Sequence, residues 1–195
     1  SDKVNKKWFN TAKHSDKLSN ISQAKHIDIK LKALGFEKKK SDIADKKTLL
    51  VKNQELFDET MNHLLGESGT SYNELHEASI ELGNFWNGKS YEVKYNPKEY
   101  KTLFEKLIRC EHERWNSFHY LNGWEYADVK DKSKKLHNCL KPIEEFKEPE
   151  LQITILYDAY SILYLPNYLA NAGYELTPYG GKKESLDDAK QKGKT

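Results

Sequence analysis

The chain has few of the residues and patterns that define several large protein classes. Its two cysteines, Cys110 and Cys139, lack CxxC spacing, which excludes a disulfide framework and indicates a reducing compartment. No apolar run approaches the roughly 18 residues of a membrane span, and no signal peptide opens the chain. We therefore expect a cytoplasmic protein whose chain makes no membrane contact. Because it begins at Ser1 rather than at methionine, we also expect it to be part of a longer protein.

A basic excess is also missing. The chain has 32 lysine and arginine residues against 30 acidic residues, a net charge of +2. Nucleic-acid-binding proteins usually carry a clear positive excess, so we expect no nucleic-acid partner. The lysine clusters at 36–40, 130–135 and 181–183 are typical of solvated surface.

Aromatic residues, at 12% of the chain, can supply the hydrophobic core of this highly charged sequence. The length of 195 residues suits one domain with an extension. Apolar periodicity predicts a first helix from an N-cap at Asn20 to Gly35, then a charged connector over 37–47. Further helices are predicted over 49–66 and 72–82, followed by a turn at Asn87 and Gly88 with short strands beside it.

A long helix should form the centre of the fold. Asn96 as N-cap, Pro97 and Glu99 predict its start, and Gly123 predicts its end after Leu121. Beyond it, the sequence predicts the following elements: a short strand at 124–129, a turn from Pro142, a helix at 151–163, and a last helix from Pro166 to Gly173. From Thr177 onward we expect a disordered tail.

The stretch EHERWNSFHYLNGWEYA (111–127) concentrates rings and charges at the end of this helix. Glu111 shares an apolar stripe with Leu107 and Trp115, so its buried carboxylate needs a partner. One interpretation is purely structural, with Glu111 fixing a loop backbone or an arginine. Catalytic and metal motifs are weak, although the side chains of His112, His119, His137 and Cys139 offer zinc-ligand types. Cys110 lacks an activating environment for nucleophilic catalysis.

Ligand binding explains the composition of this stretch better. Trp115 and Trp124 flank the helix end, with Tyr120 and Tyr126 nearby, and the lysines of 130–135 follow. Flat rings beside cations suit a purine base with attached phosphates.

These residues resemble the RyR domain, a repeat named after ryanodine receptors and found in many bacterial proteins. The resemblance covers about 103–176 and rests on the following positions: Glu111, His112, Trp115, Gly123, Trp124, Tyr126, Lys135, His137, Leu140, Pro142, Leu169, Gly173 and Tyr174. The chain departs from the family pattern at Ala127, where glycine is common, and at Asn138, where proline is usual. The segment 19–36 is similar to the helix that precedes RyR domains in bacterial proteins.

The resemblance implies a mainly α fold with a few short β-strands. It divides the chain into a helical N-terminal extension (1–95), the RyR domain (96–176) and the tail (177–195). Family members act in calcium channels, where adenine nucleotide binding is associated with them, and occur near bacterial ion-transport and phage-defence genes. We therefore expect a non-catalytic sensor domain for a nucleotide or nucleotide-derived signal, without a cofactor. A homo-oligomer or an attached effector domain is compatible with this role.

The sensor hypothesis assigns each site residue a role. Trp115, Trp124 and Tyr126 would hold the base, and His137 would form a hydrogen bond with the ligand. Lys134, Lys135 and Arg114 would contact phosphate, while Glu111 would orient Arg114 or bind a ribose hydroxyl.

Two alternatives remain. A protein-interaction module of a channel or effector would bury Trp124 in its core and bind no small ligand. An enzyme acting on nucleotides would use Glu111 or His137 as general base.

Overall fold

A computed structural model describes residues 14–181 of the chain. These residues are mainly helical with four short strands, which confirms the predicted fold class. They divide into two compact units, one formed by 14–27 with 61–164 and the other by 28–60 with 165–181. Within residues 14–181, no helix combines the length and the apolar character needed to cross a membrane.

The elements of the first unit surround one long helix. The bounds of its elements are α1 His14–Lys25, the end of α3 (Lys46–Glu67) from Met61, α4 Tyr72–Trp86, α5 Leu103–Leu121, β2 Glu125–Tyr126, β3 Leu136–His137, a 3₁₀ turn Ile143–Glu145, α6 Pro149–Gln152 and α7 Ile155–Leu163. Helix α5 packs against α7 through buried apolar residues that include Phe104, Ile108 and Ile162. The predicted Pro142 turn is confirmed. The single helix predicted over 151–163 is wrong at its start, because α6 ends at Gln152 and α7 begins at Ile155, although its predicted end at Leu163 is correct.

The start predicted for the central helix at Asn96 is wrong. Helix α5 begins after Thr102, whose hydroxyl accepts from the Glu105 N–H while the Glu105 carboxylate accepts from the Thr102 N–H. This capping box competes with the Asn-Pro signal six residues earlier. The preceding segment stays non-helical because Tyr100 is buried with φ at 48°. The predicted end is confirmed at Leu121, followed by Gly123 with φ at 75°.

Helix α4 also differs from its prediction. It begins after Ser71, which accepts a hydrogen bond from the Glu74 N–H, and continues one turn beyond the predicted end to Trp86. The turn at Asn87–Gly88 is confirmed, with Gly88 in the left-handed region. The strands predicted beside this turn are wrong, because residues 87–100 are irregular in the described structure.

The first predicted helix, capped at Asn20, is two helices. Asn20 lies inside α1, and α2 spans Ile27–Ala33 after a break at His26. The N-cap prediction was wrong because a side chain of this type also occurs within helices, where solvent satisfies its polar group.

The second unit pairs two strands that are far apart in sequence. Strand β1 (Phe36–Lys40) runs antiparallel to β4 (Tyr174–Pro178), which follows helix α8 (Leu165–Ala172) and precedes a 3₁₀ turn at Tyr179–Gly181. The buried amide of Asn53 binds both the Tyr174 carbonyl and the Leu176 N–H.

This strand pair corrects two expectations. The connector predicted from residue 37 begins with β1, because pairing to a partner more than 130 residues away decides its conformation. The ordered structure includes Thr177 to Gly181, which the sequence assigned to a disordered tail. Residues 182–195 of that predicted tail lie outside the described residues.

Candidate functional site

A cavity of about 420 Å³ opens in the first unit. The end of α4, one face of α5, the segment after β2 and the start of α7 all contribute to it. Its walls carry aromatic, ionisable and polar side chains: Phe85, Trp86, His112, Trp115, Lys130, His137, Asn138, Cys139, Glu150, Leu151, Thr154, Tyr157 and Asp158. A volume of this size, mainly apolar with a few polar groups, is typical of small-molecule sites.

One face of α5 holds the loop that forms the cavity floor. His112, Asn116 and Tyr120 follow each other at intervals of four residues, so they point to the same side of the helix. The Lys141 carbonyl accepts from His112 Nε2 (2.9 Å) and from Asn116 Nδ2 (3.1 Å), and the Leu140 carbonyl accepts from the Tyr120 hydroxyl (2.5 Å). These bonds fix the backbone directly after Cys139.

His112 joins this loop to α7. Its Nδ1 lies 3.3 Å from Oδ2 of Asp158, while its Nε2 donates to the Lys141 carbonyl. Burial opposes protonation of the ring, but the hydrogen bond and the negative charge of Asp158 outweigh burial and raise the pKa of His112. Both ring nitrogens are therefore engaged by protein atoms.

His137 has the opposite electrostatic character. Its Nδ1 accepts a hydrogen bond from the Cys139 N–H at 3.1 Å. Burial, together with the positive charge of Lys130, lowers the pKa of His137 to about 4. At neutral pH the ring is therefore uncharged, and its hydrogen is on Nε2. His137 presents an N–H donor at the cavity wall.

Lys130 also lines the cavity. Partial burial and the neighbouring charge of Lys132 lower the pKa of its ammonium group. A partly desolvated cation gains more from an anionic partner than a fully hydrated one.

Aromatic rings form the apolar walls. Trp115 packs on His119 with ring centroids 4.0 Å apart and meets the edge of His137 at 5.0 Å. Trp86 and Tyr157 lie on the other side of the lining, with ring centroids 6.3 Å apart. The cavity thus combines flat hydrophobic surfaces with a neutral donor and a cation.

The structure brings two of the predicted site residues, Trp115 and His137, to the cavity. Glu111 and Arg114 instead form a buried pair with two hydrogen bonds, Nε–Oε2 at 3.0 Å and Nη2–Oε1 at 2.7 Å. A third Arg114 bond reaches Ser22 of α1 at 3.2 Å. Glu111 therefore has the arginine partner that its predicted burial required, and the pair connects α5 to α1.

The other four predicted residues lie outside the cavity lining. Trp124 is partly exposed and packs on His119 at 5.3 Å. Tyr126 is exposed and donates to Asp128. Lys134 pairs with Asp131, and the Lys135 ammonium donates to the Asn122 carbonyl.

Several cavity residues were not predicted from the sequence. Phe85, Trp86, Tyr157 and Asp158 are distant in sequence from the 111–127 stretch, so no local pattern connected them to it. Lys130 belongs to the 130–135 cluster, from which the sequence selected only Lys134 and Lys135 for phosphate contact. An available signal was Asp158, an acidic residue in the otherwise apolar helix α7.

Metal binding finds no support in this geometry. Among residues 14–181 there is no group of three or more histidine, cysteine and acidic side chains placed to hold a metal ion. His112, one of the zinc-ligand types noted in the sequence, instead bonds to Asp158 and Lys141.

Fold and cavity together define a small helical domain with an aromatic-walled pocket. Residues 93–172 match the RyR domain family, which confirms the resemblance read from the sequence. Over these residues the chain is similar to RyR domains. No solved structure matches the chain. Of the cavity residues, Phe85 and Trp86 precede the matched region.

Proposed function

We propose that this chain is a cytoplasmic sensor module that binds a nucleotide or nucleotide-derived signalling molecule in the RyR-domain cavity and does not convert it. Its place in a bacterial defence or ion-transport system is proposed from the family resemblance alone. The observation that carries the ligand proposal is the combination of stacking surfaces, neutral donor and cation around one cavity.

The lining offers a complementary contact for each part of a nucleotide. Trp115 supplies a flat aromatic surface, on which a base stacks regardless of its hydrogen-bonding edge. The Nε2–H of neutral His137 can donate to a base or ribose oxygen. Lys130 supplies positive charge for phosphate.

The same geometry favours binding over catalysis. Glu111, one candidate general base, is bound by two nitrogens of Arg114. His137, the other, uses its Nδ1 lone pair for the Cys139 N–H and carries its hydrogen on Nε2. A base needs a free lone pair directed at the substrate proton, so neither residue is arranged for that role.

Six residues that the sequence assigned to the site lie outside the cavity lining. The Glu111–Arg114 pair supports the cavity indirectly by holding α5 against α1. Contacts from Trp124, Tyr126, Lys134 and Lys135 to a ligand stay predictions, since these side chains lie beside the lining rather than in it.

Thermal unfolding with added ligands tests the proposal. ATP, cyclic di-AMP and ADP-ribose are suitable probes. A ligand at 100 times its dissociation constant should stabilise the folded protein by about 2.7 kcal/mol. For a chain of this length, that corresponds to a rise in Tm of about 5 to 10 °C.

Each alternative predicts a different result. A protein-interaction module without a small ligand would show no shift with any probe. An enzyme would return converted nucleotide when the incubated ligand is separated by chromatography. Binding with the nucleotide recovered unchanged supports the sensor.

A further inference from the structure

The cavity mouth carries two large aromatic side chains that the core does not need. Trp86 is 59% exposed and Tyr157 is 50% exposed, and both line the cavity. Large aromatic rings usually bury most of their area, so an exposed pair beside a pocket marks a binding surface.

Trp86 is held in place although it is exposed. It is the last residue of α4, and the helix ends directly after it through Asn87 N–H bonds and the left-handed Gly88. Phe85 meets the Trp86 ring edge-on at 4.9 Å, and Tyr91 meets Phe85 in the same way at 5.1 Å. The ring is thus supported from behind and needs little ordering when a ligand binds.

The Trp86 and Tyr157 rings contact each other without stacking. Trp86 and Tyr157 have centroids 6.3 Å apart and planes inclined by 47°, so neither ring covers the face of the other. A planar heterocycle can stack on the indole and meet the phenol ring at its edge, the two arrangements that aromatic rings prefer.

We propose that Trp86, in addition to Trp115, provides a stacking surface for the base of the ligand and that, with Tyr157, it selects purine over pyrimidine nucleotides. This inference rests on the proposed nucleotide-binding function and adds a specificity residue to it. Trp86 lies outside the RyR match at 93–172, so the segment before the domain completes the site.

The purine preference follows from overlap area. A two-ring base covers more of the indole than a one-ring base, and stacking depends on the area in contact. Truncation of a stacking aromatic typically weakens binding by about 1 to 3 kcal/mol per base, equivalent to about 5- to 150-fold in affinity.

Calorimetric titration of the full chain tests the inference with two matched probe pairs, ATP with UTP and cyclic di-AMP with cyclic di-UMP. The wild type should bind the purine member of a pair more tightly. Trp86→Ala should lose about 5- to 150-fold in affinity for the purine probe, with a smaller loss for the pyrimidine probe, so that the preference for purine disappears. Trp86→Phe, which keeps a flat ring, should retain part of it.

Two controls separate stacking from folding. Ile80→Ala changes another exposed side chain of α4, 53% exposed and outside the cavity lining, and should bind like the wild type. Trp86→Leu keeps apolar volume without a ring and should bind as weakly as Trp86→Ala, even if the smaller side chain disturbs α4.

The outcomes distinguish this inference from the function on which it rests. If the wild type binds a purine probe and the folded Trp86→Leu variant binds it within about two-fold, the platform assignment is overturned while nucleotide binding stands. If the wild type binds pyrimidines as tightly as purines, the selectivity is overturned. If no probe binds the wild type, both proposals fall.

Discussion

His112 and Asp158 form a buried pair in which Nδ1 of the imidazole faces Oδ2 of the carboxylate at 3.3 Å. On its other side the ring donates from Nε2 to the Lys141 carbonyl. A carboxylate and a carbonyl both accept hydrogen bonds, so the ring satisfies both only with a hydrogen on each nitrogen. The positively charged form of His112 therefore links α5, α7 and the cavity loop.

This pair should make stability depend on pH on the alkaline side. The folded-state pKa of His112 is raised, whereas the unfolded value is about 6.5. Its stabilising contribution is therefore complete below about pH 6.5 and is lost as pH rises through the raised pKa. Urea unfolding between pH 6 and 9 should show this loss in the wild type and not in His112→Gln. If the free energy of unfolding changed with pH in the same way in both proteins, a raised pKa for His112 would be contradicted.

His137 should give the opposite dependence in acid. Its folded-state pKa is about 4, against about 6.5 in the unfolded chain, so the unfolded state binds the proton more readily. The stabilising contribution is complete above about pH 6.5 and decreases as pH falls toward 4, by up to about 3 kcal/mol. His137→Gln should flatten this part of the profile. If His137→Gln lost stability below pH 6.5 in the same way as the wild type, the His137 ring would not be neutral in the folded protein.

Removal of one partner of the Glu111–Arg114 pair should be costly. Both side chains are buried, and Glu111→Ala leaves the guanidinium without its carboxylate, at about 3 to 5 kcal/mol. Glu113→Ala is the matched control, because this exposed carboxylate lies 3.5 Å from Arg109 on the same helix and should contribute less than about 1 kcal/mol. Denaturant unfolding measures both, and equal effects would contradict a buried, tightly coupled pair.

The start of α5 can be tested by removing each competing cap. Thr102→Ala should lower the free energy of unfolding by about 1 kcal/mol, because the Glu105 N–H loses its acceptor. Asn96→Ala should have an effect within about 0.5 kcal/mol, since Asn96 lies outside the helix. If Asn96→Ala destabilised the protein more than Thr102→Ala, the helix would begin at Asn96, as the sequence predicted.

Lys130 and Lys134 lie in the same lysine-rich segment but in different environments. Both are exposed, but Lys130 lines the cavity, whereas Lys134 lies outside the lining and pairs with Asp131. Lys130→Gln should weaken ATP binding by about ten-fold, the equivalent of one charge-assisted contact, and Lys134→Gln should leave it unchanged. Titration at fixed ionic strength measures both. A larger loss for Lys134→Gln would support the phosphate contact predicted from the sequence.

Local patterns placed some helix ends better than helix starts. The ends marked by Gly123 and Gly173 agree with the structure, because a left-handed residue terminates a helix through its own backbone. Helix starts were less predictable, since Asn96 and Thr102 are both good caps and only one can be used. Burial of Tyr95 and Tyr100 against the rest of the unit, at long range, decided between them.

Long-range packing also limited the prediction of the site. The family motif named Trp115 and His137, and both line the cavity. Phe85, Trp86 and Tyr157 reach the cavity through chain packing from positions 29 to 42 residues away from Trp115. A pattern within one window does not encode which distant side chain meets it.

By itself, the sequence determined the mainly helical class, the RyR-type motif and the requirement that Glu111 have a partner. These follow from periodicity, residue identity and the cost of burying a charge. Only the tertiary structure decided that β1 pairs with β4 and that Trp86 lines the cavity. Each of these depends on which distant surfaces pack together, where contact energy outweighs local preference.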